Sequence, residues 1–321
     1  MNKKKSILIV AGEPFGIFSE ILFKTFKKYK FKKPLMVIGS YRLIKKQMNF
    51  LRYKIPLNRV NENLNFKDLN SKKINIINVD LNFTKPFQKI SDDTNSYNKK
   101  SFELALRLMK TNDFVGLING PISKKNFLKK KYLGITEYLA RKTNTKDFAM
   151  LIYNKNLAVS PITTHIPIKK VSNLISQNKI QNHIKLIKKF YKKNFKKNPT
   201  IAITGLNPHC ESNLNNNEEN RVIIPAIKKI NRSYSKVYGP FPTDSLFMKN
   251  NIKKFDVVVG MYHDQVLTPI KSIYNFNAIN VTLGLPFIRV TPDHGPNEKM
   301  KGKNRSSPQS LISAIKFLEN K

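Results

Sequence analysis

Three of the chain's five histidines close polar motifs that follow apolar runs. They are His165 in Ile162-Thr163-Thr164-His165-Ile166-Pro167, His209 in Thr204-Gly205-Leu206-Asn207-Pro208-His209, and His263 in Met261-Tyr262-His263-Asp264-Gln265. The runs before them, Leu157-Ala158-Val159-Ser160, Thr200-Ile201-Ala202-Ile203 and Asp256-Val257-Val258-Val259-Gly260, read as buried strands. Groups at the carboxyl ends of strands in an open α/β sheet line its ligand crevice. Three imidazoles brought to one sheet edge can hold a divalent metal and leave a coordination position for substrate. Each histidine alone reads equally well as a side chain satisfied by its neighbours; three at strand ends together point to a site. Imidazoles suit Zn, Co or Ni, and an added carboxylate widens the choice toward Mn or Mg. Asp264 either orients the His263 ring, binds metal or caps the next helix.

A second set follows. Lys271, Asn280 and Arg289, placed on successive strand ends or turns, form a cradle suited to a phosphate or carboxylate. Lys271 by itself reads as one of many solvated lysines. Arg289 stands out because arginine is scarce here and this one interrupts an apolar segment. Asp244, after Gly239-Pro240-Phe241-Pro242-Thr243, is either a helix N-cap or a carboxylate facing the crevice.

The elements that must position these groups alternate between strand-like and helix-like patterns, which predicts a layered α/β fold. Strands are expected over 6–11, 34–39, 74–79, 114–119, 256–262 and 277–281. Helices are expected over 18–30, 97–110, 175–195, 217–231 and 307–318, with a short one after Gly134. A chain of 321 residues suits two domains, yet no Pro/Gly/Ser-rich linker separates them. No Gly-x-Gly-x-x-Gly follows the first strand, and no Walker-type loop occurs.

Composition bounds the partners. The formal charge is +39, but only nine of the 59 basic residues are Arg. The lysines are spread over nearly every expected helix, so this is a compositional bias and not a nucleic-acid groove, for which Arg is the favoured reader. The basic field attracts phosphorylated small molecules, and no specific nucleic-acid partner is expected. No apolar run nears the ~20 residues of a membrane span. The basic start is followed by too short an apolar run for a signal peptide and reads as a first strand. A single Cys210 fits a reducing cytoplasm.

Short motifs along nearly the whole chain resemble the 4-hydroxythreonine-4-phosphate dehydrogenase family of vitamin B6 biosynthesis. They are residues 12–20, Asn119-Gly120-Pro121-Ile122-Ser123-Lys124, 134–140, Thr163-Thr164-His165, 205–209, 239–247, 261–265 and 280–289, running on to Asp293-His294-Gly295. Several motifs in one order are far more specific than any one of them. The resemblance implies a three-layer α/β/α fold of the isocitrate and isopropylmalate dehydrogenase type, with two lobes and the active site in the cleft. Residues 1–130 together with 285–321 would form the cofactor-side lobe, and 131–284 the lobe with the metal ligands and dimer interface.

It implies NAD- or NADP-dependent oxidation of 4-phosphooxy-L-threonine, loss of carbon dioxide to give 3-amino-2-oxopropyl phosphate, and a homodimer sharing its active sites. By motif, His165, His209 and His263 would hold one divalent ion (Zn, Co, Mg or Mn). Thr136, Lys271, Asn280 and Arg289 would contact substrate, and Asp244 or Lys124 would take the hydroxyl proton. His294, Gly295 and Asn304 lie in the stretch that wraps the cofactor's adenosine in relatives, in place of a Gly-x-Gly-x-x-Gly. The chain departs from the family in three places. Ile135 stands where the family has His. The first motif carries Glu13, Phe15, Phe18 and Ser19. Residues 296–301 replace a smaller, more apolar run. A paralogue acting on a four-carbon sugar acid phosphate, or a non-catalytic anion-binding homologue, are the alternatives.

Overall fold

The computed structural model describes residues 5–62, 69–91, 94–123, 127, 132, 134–210, 216–234, 236–274, 278–292, 295 and 297–321; Lys124 and His294 lie outside them. The chain divides into two compact units, Met1–Lys142 with Pro286–Lys321, and Thr143–Leu285. The helix that carries Thr136 therefore belongs to the first unit.

The first unit holds strands β1 (Ser6–Val10), β2 (Leu35–Gly39), β3 (Leu57–Val60), β4 (Ile74–Asn78), β5 (Phe114–Asn119) and β12 (Arg289–Pro292). They lie in the order β3-β4-β2-β1-β5-β12, and every pair is parallel. Apolar runs such as Ser6–Val10 and Leu35–Gly39 are buried at every position, as parallel strands covered on both faces must be. The helices are α1 (Phe18–Lys28), α2 (Tyr41–Phe50), α3 (Thr94–Leu108), α4 (Ile135–Lys142) and α8 (Gln309–Glu319). The α3 helix packs on β1 and β2, and α8 packs on β5 and β12. Because β1 leads to β2 on one side while β5 lies on the other, the chain reverses its winding between β1 and β5. Ligands of open α/β sheets bind outside strand ends at such a point.

The second unit holds β6 (Ala149–Tyr153), β7 (Ala158–Thr163), β8 (Ile201–Thr204), β9 (Val237–Phe241), β10 (Val257–Tyr262) and β11 (Ile279–Leu283), in the order β11-β6-β7-β10-β8-β9. Pairs from β7 to β9 are parallel, and β6 runs antiparallel to both its neighbours. Its longer helices are α5 (Gln177–Phe195), α6 (Ile224–Asn231) and α7 (His263–Tyr274). The α5 helix starts at Ser176, whose side chain accepts from Lys179 N. From α5, His183 enters the core, where its Nε2 donates to Ser160 Oγ (2.6 Å) and Ser160 in turn donates to the Met150 carbonyl (2.5 Å). Burial, then the Lys179 charge, pushes the His183 imidazole down to about 3, so this ring is a neutral structural group.

Five features depart from the sequence expectation. The α2 helix and the strands β3, β9 and β12 lie where no element is expected. Lys271, expected on a strand end or turn, lies in the last turn of α7, which continues through Pro269.

Candidate active site

Register explains the histidine pair. Parallel β7 and β10 align Thr163 with Tyr262, and Thr163 Oγ1 donates to the Met261 carbonyl (2.7 Å). The two chain segments therefore leave the sheet side by side, and the rings of His165 and His263 lie 5.7 Å apart between centroids. His165 has φ 49°, in the left-handed region that costs a non-glycine residue about 1–3 kcal/mol and that clusters at functional sites. His263 opens α7 and its Nδ1 lies 2.6 Å from Asp264 Oδ1. Asp264 thus orients the imidazole and leaves Nε2 as its outward nitrogen.

His209 (φ 57°) lies in a turn beyond β8. Among the described residues no three His, Cys, Asp or Glu side chains form a metal-holding group, so one chain brings together two of the three expected imidazoles. The His209 turn is built on the buried Glu219, whose Oε1 accepts from Leu206 N (2.7 Å) and Asn207 N (2.9 Å). Burial alone would raise this carboxyl, but the Asn207 and Leu206 donors hold it below its ordinary value. Gln265 ties β8 to β10: its Oε1 accepts from Thr204 Oγ1 (2.8 Å) and Met261 N (2.7 Å), and its Nε2 donates to the Gly205 carbonyl (2.7 Å). The close approach of α7 requires Gly260, where a Cβ would meet Val266 Cγ1 at 2.5 Å. Sequence reasoning gives no role to Glu219 or Gln265. A Glu218-Glu219 pair in so basic a chain is the one available signal.

The first unit carries two of the anion-binding candidates, Thr136 and Arg289, while Lys271 and Asn280 fall in the second. Arg289 starts β12 and is 1% exposed. Its Nε donates to Asn119 Oδ1 (2.8 Å) at the end of β5, and its Nη1 donates to Thr136 Oγ1 (2.9 Å) in the first turn of α4. Asn119 is itself turned by its Nδ2 bond to the Gly120 carbonyl (3.0 Å). Burial lowers the Arg289 guanidinium to about 9, against an upward pull from Glu137, so it stays charged at neutral pH. Thr136 and Arg289, linked only by resemblance in the sequence, are in contact.

Of the remaining candidates, Asp244 does not cap its helical turn. Pro242 occupies the N-cap, and the exposed Asp244 accepts from Ser245 N (2.8 Å). Lys271 is exposed, and Asn280 on β11 has a buried Oδ1 without a hydrogen-bond partner.

At the winding reversal, Gly12 (φ 77°) lets the β1–α1 loop press on the end of β5, where a Cβ would meet the Pro121 carbonyl at 2.5 Å. The next residue, Glu13, is 2% exposed, and neither carboxylate oxygen closes a hydrogen bond. Burial pushes its carboxyl from 4.5 up to about 7; Thr94, Asn98 and Ser123 pull it partway back, and the Glu298 charge adds a smaller push upward. A nearby cavity of about 370 Å³ is lined by Phe15, Asp80, Asn82, Gln88, Thr94 and Tyr97, among others. Its size falls in the range of roughly 300–1,000 Å³ typical of small-ligand sites. Lys301 Nζ donates to the Gln88 carbonyl (2.8 Å), which joins the candidate cofactor stretch to this wall. In that stretch Gly295 faces open space, and Asn304 (φ 55°) accepts from Tyr53 OH (2.9 Å).

Residues 30–318 match the pattern of pyridoxal phosphate biosynthetic protein PdxA. The chain belongs to the PdxA family. It is 37% identical to the 4-hydroxythreonine-4-phosphate dehydrogenase of Sulfurihydrogenibium sp. (strain YO3AOP1), over 97% of this chain and 96% of that one. It is 30% identical to the D-threonate 4-phosphate dehydrogenase of Salmonella typhimurium (strain LT2), over 98% of each. The crystal structure of the 4-hydroxythreonine-4-phosphate dehydrogenase from Klebsiella pneumoniae superposes with a TM-score of 0.86 at 28% identity, covering 98% of both chains. PdxA membership accounts for the order of the motifs, and the α/β architecture expected from the sequence is the one observed. No described helix is long and apolar enough to cross a membrane.

Glu13 and His183 make the stability of this PdxA chain depend on pH in opposite directions. The folded chain keeps the Glu13 proton up to about pH 7 while an unfolded carboxyl releases it near 4.5, so stability is lost as pH rises through that window. His183 takes its proton near 6.5 when unfolded but only near 3 when folded, so stability is lost as pH falls. Each contributes about 1.4 kcal/mol per pH unit inside its window, and between 4.5 and 6.5 the two cancel. Glu13→Gln should expose the histidine and lose about 2–3 kcal/mol, relative to wild type, on going from pH 6.5 to 4.5. Urea titrations across that range check this; parallel profiles for the two proteins would refute it.

Proposed function

We propose that this chain is an NAD(P)-dependent, divalent-metal-dependent dehydrogenase of 4-phosphooxy-L-threonine in pyridoxal 5'-phosphate biosynthesis. The product, 2-amino-3-oxo-4-phosphooxybutanoate, decarboxylates to 3-amino-2-oxopropyl phosphate. The observation that carries this reading is Arg289, a buried guanidinium whose Nε and Nη1 are held by two neutral side chains. A guanidinium whose plane is fixed through two of its arms is suited to meet a phosphate or carboxylate as a fork. PdxA membership and the names of full-length relatives support the choice of substrate.

The residues fit the implied groups. His165 and His263 offer two imidazoles, with Asp264 fixing the second, and His209 of a second copy would complete the donor set in a homodimer. When bound, the metal lowers the pKa of the substrate hydroxyl and draws charge from the forming carbonyl, while the nicotinamide accepts the hydride. The cavity along Gln88, the open side of Gly295, and Asn304 suit the cofactor. Thr136 and Arg289 orient the substrate's anionic end, with Lys271 and Asn280 as further contacts. Asp244 or Lys124 takes the hydroxyl proton. The lone cysteine suits a cytoplasmic setting.

Ile135 favours keeping a second substrate in view. It opens α4 next to Thr136 and offers no hydrogen bond where the family has His. D-Threonate 4-phosphate, the substrate named for the Salmonella relative, is the second reading. Steady-state NADH or NADPH formation on both compounds tests the two together. With the first substrate, Ile135→His should lower KM by roughly ten- to a hundredfold, the worth of one hydrogen bond to a charged group, with kcat little changed. An unchanged KM, or a wild-type preference for D-threonate 4-phosphate, would move the second reading ahead.

A further inference from the structure

The segment that follows the candidate cofactor stretch is held by a charged pair on α1, more than 280 residues earlier in the chain. Glu20 is fully buried, and its Oε1 accepts from Ser306 N (2.5 Å) and from Lys24 Nζ (2.9 Å). Lys24 Nζ also donates to two main-chain carbonyls of the segment, Asn304 (2.8 Å) and Ser306 (2.8 Å). Tyr53 OH adds a bond to Asn304 Oδ1 (2.9 Å). The α1 pair thus satisfies one N–H and two C=O groups of a stretch that has no regular structure of its own between residues 301 and 308. The backbone there needs such support, since Gly302 (φ 71°) and Asn304 (φ 55°) both stand in the left-handed region.

We infer that Glu20 and Lys24 are positioning residues for the cofactor: they set the path of residues 302–306 and so the affinity for the nucleotide half, without touching the reacting atoms. This rests on the proposal that residues 294–304 hold the cofactor. The form of the contact supports it. Three of the bonds are charge-assisted and grip main chain, so they fix a path and not a particular side chain. A segment held in its bound conformation binds without a further ordering cost.

The test uses the full-length protein and two readouts. The first is the split between KM and kcat for NAD and NADP. The second is the rate of tryptic cleavage after Lys303 and Arg305, followed by mass spectrometry with and without either cofactor. Lys24→Met should raise the cofactor KM by roughly ten- to a hundredfold, with kcat within about twofold of wild type. Cleavage at Lys303 and Arg305 should speed up by a similar factor, and cofactor should protect wild type more than the variant. Lys24→Arg, which keeps the charge and donors, should restore much of both. Tyr53→Phe, which leaves the ion pair intact, should give a smaller effect of the same kind.

A Lys24→Met protein with native KM and native cleavage overturns the inference. So does faster cleavage with an unchanged KM, because the clamp would then have no bearing on the cofactor. Failure of the underlying reading looks different: wild type forms neither NADH nor NADPH from either phosphorylated substrate. If cofactor still protects the wild-type segment and protects Lys24→Met less, the clamp stands even then. If neither cofactor protects the wild-type segment, it falls.

Discussion

Replacing His165 or His263 with Ala should lower turnover beyond the roughly 10–100-fold that loss of an outer group around a metal costs, because in the proposed site each would supply a ligand directly. The fold should persist. Both rings sit at the mouth of the second unit's strands and not in its core, with His165 exposed and His263 half-buried. Metal content, activity and circular dichroism together check this, and full activity after exhaustive chelation would sink it. A mixed-chain experiment is sharper. Among the described residues one chain brings His165 and His263 together without a third ligand, so the proposed site, completed by His209 of a second copy, would be divided between subunits. Coexpressing a His209→Ala chain with a His165→Ala chain should then restore about a quarter of wild-type activity. Half of the dimers are mixed, and each mixed dimer keeps one intact site of two. Complete inactivity of that mixture, with mixed dimers present, would place all three ligands on one chain, whereas an active His209→Ala protein by itself would remove His209 from the site.

Arg289→Ala should have the other large effect. If Arg289 meets the substrate's anionic end as proposed, loss of that buried charge partner costs about 2–5 kcal/mol, or roughly thirty- to several-thousandfold in affinity. It also leaves Asn119 Oδ1 without its donor, at about 1–3 kcal/mol of stability. Arg289→Lys should rescue little. One ammonium cannot reproduce the fork that reaches Asn119 with Nε and Thr136 with Nη1. Asn119→Ala and Thr136→Val should each fall between wild type and Arg289→Ala, since each frees one arm of the guanidinium. Kinetics on the phosphorylated substrate decide: an Arg289→Lys enzyme with native KM would mean that only the charge matters, not its orientation.

The parallel strands are legible in the sequence because each is a short, continuously apolar run, and the histidine motifs stand out because they follow such runs. The α2 helix escapes a reading of periodicity although its signals are present: Ser40 caps it through Leu43 N, and Leu43, Ile44, Gln47 and Met48 form its buried face. Lysines, an asparagine and a glutamine on and around that face blur the pattern. Lys271 is misplaced by sequence reasoning because Pro269 reads as a helix stop, whereas α7 continues past it.

By itself the sequence determined the family and the alternation of elements, and it singled out the three histidine motifs and the scarce Arg289, all of which are properties of residue order. The tertiary structure decided which groups meet. Arg289 finds Asn119, 170 positions earlier, because β12 lies beside β5, and His165 finds His263 because β7 lies beside β10. Gln265 and Glu219 brace the histidine-bearing turns, and Glu20 grips Ser306, through bonds with no sequence periodicity. Hydrogen bonds between distant segments depend on strand order and register, which no local pattern of side chains encodes.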